Sequence, residues 1–192
     1  AAFKELGLDY AYLAFEVKEE QLEAAVYGLK AMNARGCNVS MPYKQKIIKY
    51  MDKLTLTSEL CGAVNTVIND NGVLTGHITD GSGYMNSLKD AGFDVIGKKI
   101  SLAGAGGAAT AICIQAALDG VKEISIFNKR DKFYEKAQET VKIINEKTTC
   151  IANLFDIDDK DKLKAEINES AIFINATGIG MKPYEGQTFI EK

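Results

Sequence analysis

Four polar residues stand out by type and spacing: Asn38, Lys44, Asn65 and Asp80 each close or follow a short apolar segment upstream of a glycine cluster at residues 104–109. A lysine ammonium is a proton donor, and a carboxylate beside it keeps it charged, orients it and joins it to a proton relay. Lys44 with Asp80 would be such a pair. Hydride transfer to or from a secondary alcohol needs a group that handles the alcohol proton, with neutral partners fixing the other hydroxyls. Asn38, Ser40, Asn65 and Thr66 supply donors and acceptors suited to a polyol. Singly, each has a plainer reading: Ser40 or Asn65 capping a turn, Lys44 on the surface, Asp80 as the N-cap of a helix. Four at strand ends feeding one cleft shift the balance toward chemistry, because α/β enzymes place their reacting groups at strand ends beside a nucleotide loop.

The elements that must carry these residues follow from periodicity. The aromatic-rich stretch from Tyr10 to Phe15 predicts a strand, and residues 19–32, with Leu22, Ala25, Val26 and Leu29 at helical spacing, predict a one-sided helix. Residues 36–40 predict a short strand stopped by Pro42. Helical spacing resumes from Tyr43 to Met51 through Ile47 and Ile48, which puts Lys44 near a helix start facing back toward the strand end. Residues 63–68 and 73–78 predict two strands joined by a hairpin at Asn69-Asp70-Asn71-Gly72, the one antiparallel pair in an otherwise βα pattern. A helix then runs from the Thr79-Asp80-Gly81-Ser82-Gly83 segment through Leu88. Strands at 99–103, 123–127 and 171–175, alternating with helices at 108–118 and 133–144, predict a parallel sheet with right-handed crossovers, a Rossmann-type half. The expected division is residues 1–85 for an α/β substrate-binding domain and 86–192 for a nucleotide domain, with the boundary region near 80–97.

Gly104-Ala105-Gly106-Gly107-Ala108-Ala109 directly follows a predicted strand and opens a predicted helix, the context that a G-x-G-x-x-[G/A] match requires. Its glycines allow a tight turn and close approach of a pyrophosphate to backbone N–H groups at the helix N-terminus. The plainer alternative is a glycine turn needed only for helix packing. The next strand ends at Asn128-Lys129-Arg130-Asp131, where a dinucleotide would place its adenine ribose. An acid there suits the ribose hydroxyls of NAD, whereas cations suit the 2′-phosphate of NADP. Asn128, Lys129 and Arg130 lean toward NADP, Asp131 opposes it when turned inward, and use of either cofactor is the expectation. A later strand leads into residues 175–181, whose Thr177, Gly180 and Met181 fall at the same sheet edge, where a nicotinamide would lie.

With 192 residues, 46% of them hydrophobic, the chain is long enough to bury roughly two-thirds of its unfolded surface. A net charge of −3 from 26 acidic and 23 basic residues, with no basic stripe, excludes a nucleic-acid footprint and leaves a small polar molecule as the expected partner. No apolar run approaches the roughly 18 to 20 residues that span a bilayer, so no membrane association and a cytoplasmic location are expected. The four cysteines are widely spaced and His77 is the single histidine, which argues for reduced core thiols and against a metal. The chain opens without Met and stops at Glu191-Lys192 among helix-forming residues, so truncation at both ends is also expected.

Asn38-Val39-Ser40-Met41-Pro42-Tyr43-Lys44, Gly62-Ala63-Val64-Asn65-Thr66, Thr79-Asp80-Gly81-Ser82-Gly83, the 104–109 loop and Thr177 to Met181 together resemble the successive motifs of the shikimate/quinate dehydrogenase family. The stretch from Phe127 to Tyr134 looks closest to the branch that accepts quinate or shikimate with NAD or NADP. The resemblance implies an N-terminal substrate domain, a C-terminal Rossmann domain and an active site between them. It implies reversible oxidation of shikimate or quinate to the 3-dehydro ketone, in aromatic amino acid biosynthesis or the quinate pathway, by a monomer or homodimer. Lys44 and Asp80 fall on the family's catalytic dyad; Asn38, Ser40 and Asn65 fall on hydroxyl-binding positions. Residues 104–108 fall on the pyrophosphate site and 128–131 on the adenosine ribose site.

The chain departs from the family pattern in places. Ile78-Thr79-Asp80 stands where the family reads Asn-Thr-Asp, so an amide beside the carboxylate becomes apolar and a less firmly positioned Asp80 is expected. Lys129 replaces a common arginine, with Arg130 adjacent to compensate. The family's N-terminal strand with paired serines and its C-terminal helices with a substrate-binding glutamine have no counterpart here. Ile78 also keeps open a catalytically silent homologue that binds the acid or nucleotide as a sensor, and a methylene-tetrahydrofolate dehydrogenase is a weaker alternative.

Overall fold

A computed structural model of the protein describes residues 2–188 and Ile190; Ala1, Phe189, Glu191 and Lys192 lie outside the described residues. After a short α1 (Ala2–Glu5), the chain runs without regular structure to a 3₁₀ turn at Glu19–Gln21 that leads into α2 (Leu22–Ala31). The first sheet takes β1 (Gly36–Asn38), β2 (Lys53–Leu54), β3 (Thr66–Asp70) and β4 (Val73–His77) in the order β1-β3-β4-β2. Between β2 and β3 lies α3 (Leu56–Cys61), and α4 (Asp80–Asp90) follows β4. The second sheet takes β5 (Lys99–Ala103), β6 (Glu123–Asn128), β7 (Ile151–Asp156) and β8 (Phe173–Asn175) in the order β7-β6-β5-β8, all parallel. Its crossovers contain α5 (Gly107–Asp119), α6 (Tyr134–Lys147) and α7 (Lys160–Asn168). That order reverses direction at β5, and the crevice at such a reversal is where open α/β sheets bind ligands.

The hairpin between β3 and β4 forms as its residues require: Asn71 and Gly72 both adopt positive φ, and Asn69 Oδ1 accepts the Gly72 N–H at 2.8 Å. Two antiparallel pairs are present rather than one, because β1 also runs antiparallel to β3, while β2 joins β4 in parallel. Tyr10 to Phe15 is not a strand. Its aromatic content raises β propensity, but a strand needs a ladder partner; here Tyr10, Tyr12, Leu13 and Phe15 are all exposed. The helix expected from Tyr43 reduces to a 3₁₀ turn at Lys46–Tyr50, which buries only Ile47.

Three clusters of buried side chains hold the sheets, the smallest being Ala103, Phe127, Ile157 and Leu163 at the second sheet. Leu22, Val26, Val39, Ile47, Val64, Val67 and Leu74 pack under the first, and a larger cluster from α4, α5 and β5 to β8 packs under the second. The two sheets are joined by α4, which lies along α5. A Cβ built on Gly81 would sit 2.2 Å from the Ala111 carbonyl oxygen, so only glycine permits the helices to approach this closely. Thr57 on α3 reaches the same helix, donating to Gln115 Oε1 at 3.1 Å. Asp80, the first residue of α4, directly precedes the glycine that packs against Ala111 of α5.

Candidate active site

Backbone hydrogen bonds draw the candidate residues together before any side chain acts. Val39 N–H donates to Asn65 O at 2.8 Å, Val64 N–H to Lys44 O at 2.7 Å, and Asn65 N–H to His77 O at 2.9 Å. The ends of β1 and β4, the start of β3 and the loop after Pro42 therefore converge. Lys44 Nζ then lies 2.9 Å from Asp80 Oδ2, and Asn65 Nδ2 donates to Asp80 Oδ1 at 2.9 Å. Both carboxylate oxygens have a donor, and Asp80 occupies the first position of α4, where the helix dipole favours an anion. Side-chain exposures of 28% for Lys44 and 38% for Asp80 leave the pair open to a ligand.

Asn65 is the hub. Its Oδ1 accepts from Thr79 N at 3.1 Å, Thr79 Oγ1 at 3.2 Å and Thr66 Oγ1 at 3.0 Å. Asn38 Nδ2 donates to Thr66 Oγ1 at 3.3 Å, and Asn38 Oδ1 accepts from Tyr12 OH at 3.0 Å. Ser40 is exposed two residues beyond Asn38, past the end of β1. Ile78 is buried, so it fills core, while Asp80 takes its orientation from Lys44 and Asn65. Sequence reasoning gave no role to Thr79 or Tyr12. The only signal for Thr79 is its position directly before Asp80; Tyr12, 26 residues from Asn38, has none.

At the second sheet, Gly104 follows β5 with φ +118°, and a Cβ there would meet the Ala176 carbonyl oxygen at 2.7 Å. Ala105 is buried, whereas Gly106, the N-cap of α5, and Gly107 have nothing within 4 Å of an added Cβ. Ala108 is exposed in the same first turn. The result is an open cradle over free helix N–H groups, and it fits a diphosphate. One edge of this region is the 175–181 loop, folded by Thr177 Oγ1 donating to Asn175 Oδ1 at 2.8 Å and Asn175 Nδ2 donating to Ile179 O at 3.0 Å. Gly180 in that loop has φ +91°, and Met181 is exposed.

The other edge is the turn after β6. Buried Asn128 donates through Nδ2 to Lys129 O at 2.7 Å and to Asp131 Oδ1 at 3.2 Å, so it folds the turn from beneath. Asp131 Oδ1 also accepts Phe133 N–H at 2.9 Å, which ties this carboxylate to the entry of α6. Arg130 reaches sideways to Asp156 at the end of β7, Nε to Oδ2 3.2 Å, and lies over the Tyr134 ring at 5.3 Å. Lys129 makes no ion pair among the described residues.

Among the described residues no group of three or more His, Cys, Asp or Glu is placed to hold a metal, and no helix is long and apolar enough to cross a membrane. The cysteines are free thiols; burial pushes the Cys61 thiol up to about 12.

Fold and site together define a two-sheet α/β protein in which a mixed sheet presents a lysine–carboxylate pair beside a Rossmann-type half. Residues 1–67 match the family model described as the shikimate dehydrogenase substrate binding domain. The chain is 66% identical over 189 residues to shikimate dehydrogenase (NADP(+)) from Listeria monocytogenes, covering 98% of this chain and 65% of that protein. It superposes with a TM-score of 0.96 on the crystal structure of shikimate 5-dehydrogenase from Listeria monocytogenes in complex with shikimate and NAD, at 66% identity, covering 98% of this chain and 65% of that one. Ligand-free 5-ketofructose reductase from a Gluconobacter strain matches with a TM-score of 0.80 at 35% identity, covering 93% of this chain and 62% of that one. The chain is similar to the shikimate dehydrogenase family. It spans 65% of the length of the curated relatives it matches.

Proposed function

We propose that the protein is an NAD(P)-dependent shikimate/quinate dehydrogenase that interconverts shikimate or quinate and its 3-dehydro ketone. The observation that carries this reading is the Lys44–Asp80 pair at 2.9 Å, with Asn65 holding the second carboxylate oxygen. In the direction of reduction, Lys44 donates a proton to the carbonyl oxygen as it becomes the alcohol; in oxidation it takes that proton back. Asp80 keeps the ammonium charged and aimed, and Asn65 fixes Asp80. Asn38, Ser40 and Asn65 offer the neutral donors and acceptors that seat the remaining hydroxyls. When bound, the nicotinamide supplies or accepts the hydride.

In this reading residues 1–85 bind the acid and residues 86–192 bind the dinucleotide. The pyrophosphate lies over Gly104, Ala105, Gly106, Gly107 and Ala108, the adenine ribose against Asn128, Lys129, Arg130 and Asp131, and the nicotinamide near Thr177, Gly180 and Met181. The open cradle at Gly106 and Gly107 supports the first placement. The close approach of Gly81, next to Asp80, to Ala111 of α5 supports a shared cleft. The protein acts on a small molecule as a monomer or homodimer in the cytoplasm, where such dinucleotides are held.

The test is a dehydrogenase assay of the protein as its gene encodes it, with shikimate and quinate against NAD and NADP. Turnover with either acid supports the reading. Binding of acid or nucleotide in a calorimeter with no measurable turnover favours the silent sensor that Ile78 raises.

A further inference from the structure

Arg130 is the residue of the 128–131 turn best built to grip a phosphate, since its planar fork matches phosphate oxygens two at a time. Yet its guanidinium is already engaged. Nε lies 3.2 Å from Asp156 Oδ2, and the group rests on the Tyr134 ring at 5.3 Å. Asp156 pairs in register with Asn128, so the two residues end neighbouring strands on the edge that also carries the glycine loop. Asp156 is itself fixed: its Oδ1 accepts the Asp158 N–H at 3.1 Å, which leaves Oδ2 aimed at Arg130. The Asp156 side chain is 32% exposed and that of Arg130 73%, so the pair stands at the surface where a ribose substituent would arrive.

We infer that Asp156 is a positioning residue for cofactor choice: by holding Arg130 toward β7, it weakens capture of a 2′-phosphate and lets the site accept dinucleotides with and without that group. This deepens the dinucleotide reading given above and rests on it. A 2′-phosphate arriving beside Arg130 must share the guanidinium with a carboxylate of its own sign, which costs affinity for the phosphorylated dinucleotide alone. A ribose 2′-hydroxyl carries no charge and meets no such competition. Lys129, without an ion pair among the described residues, supplies the remaining positive charge as a point charge rather than a fork. The other carboxylate of the turn, Asp131, is tied to Asn128 and the Phe133 N–H, so Asp156 is the one that governs Arg130.

The experiment is calorimetric titration of NAD and NADP into the full protein and its variants at one low salt concentration. Asp156→Asn keeps an acceptor for the Asp158 N–H and removes the charge; it is expected to tighten NADP binding about fivefold and to leave NAD within about twofold. Asp156→Glu retains the charge and is expected to keep the wild-type ratio. In an Arg130→Ala background the Asp156→Asn effect on NADP is expected to fall below about twofold, which a purely structural role would not produce. If Asp156→Asn unfolds, Asp156→Ser carries the same prediction with a smaller acceptor. An unchanged NADP to NAD ratio in the charge-removing variant, or the same shift with and without Arg130, overturns the inference while leaving dinucleotide binding intact. Failure of the wild-type protein to bind either dinucleotide overturns the underlying reading and this inference with it.

Discussion

Lys44 and Asp80 are 36 positions apart in the chain and 2.9 Å apart in space. The approach is made by three strand ends and one helix start. Val64 N–H holds the Lys44 carbonyl, β4 delivers Thr79, and the first turn of α4 presents the carboxylate. The pair is thus a product of the mixed sheet and of the packing of α4 on α5, and each of these supports is open to test.

Gly81→Ala should be costly although it adds one methyl group. Its Cβ would meet the Ala111 carbonyl at 2.2 Å, and a carbonyl in a packed helix cannot step aside. Loss of about 2 kcal/mol or more in urea unfolding is expected. A fall in turnover should accompany it, because α4 carries Asp80 as it shifts. A Gly81→Ala protein of wild-type stability would show that the helices are not in contact there.

Gly106→Val should behave in the opposite way. The position has φ −73° and nothing within 4 Å of an added Cβ, so folding should be unaffected. The new side chain fills the space over the α5 N-terminus, and dinucleotide affinity should drop by about tenfold or more. Calorimetry with NAD and NADP beside a thermal melt separates the two effects; unimpaired binding would remove the loop from the cofactor site.

Asn65→Ala removes the donor to Asp80 Oδ1 and the acceptor for Thr79 and Thr66 together. Turnover should fall about tenfold or more, since the carboxylate then has only Lys44 to orient it. Steady-state kinetics with shikimate would detect this, and a change confined to stability would place Asn65 in the scaffold alone.

Glu166 is 5% exposed at the opposite edge of the second sheet and touches Lys99, Lys162 and Ser125. Burial opposes its ionisation, but hydrogen bonds from Lys162, Lys99 and Ser125 outweigh burial and hold the carboxyl at about 2, below its usual 4.5. A folded value lower than the unfolded one stabilises the fold above pH 4.5, and that contribution disappears as pH falls toward 2. It amounts to about 3 kcal/mol at neutral pH. Urea midpoints of Glu166→Gln should therefore lie below wild type at pH 7 and converge with it near pH 2. Parallel pH curves for the two proteins would exclude this origin for the stability.

The second sheet was legible because its inner strands are buried on both faces and read as short apolar runs: Ile100, Leu102, Ile124 and Ile126 are all essentially inaccessible. Edge strand β7 escaped notice for the same physical reason in reverse. Ile151 is exposed, Asn153 and Asp156 interrupt the pattern, and only Ala152 is fully buried. Helix α7 escaped because its buried stripe includes Glu166, a charge made tolerable by Lys162 in the same helix together with the distant Ser125 and Lys99. At the candidate site, Lys44, Asp80 and Asn65 were legible from residue type beside strand ends. The hold of Asp156 on Arg130 was not, since it joins residues 26 positions apart through strand pairing that no local pattern records.

The most direct test of the central claim is the turnover of Lys44→Ala with shikimate and NADP in the protein as its gene encodes it. The geometry predicts that kcat falls about 10²- to 10⁴-fold, as for loss of a positioned proton donor, while NADP affinity and the melting temperature stay near wild type. Undiminished kcat in that variant would remove Lys44 from the chemistry and contradict the account.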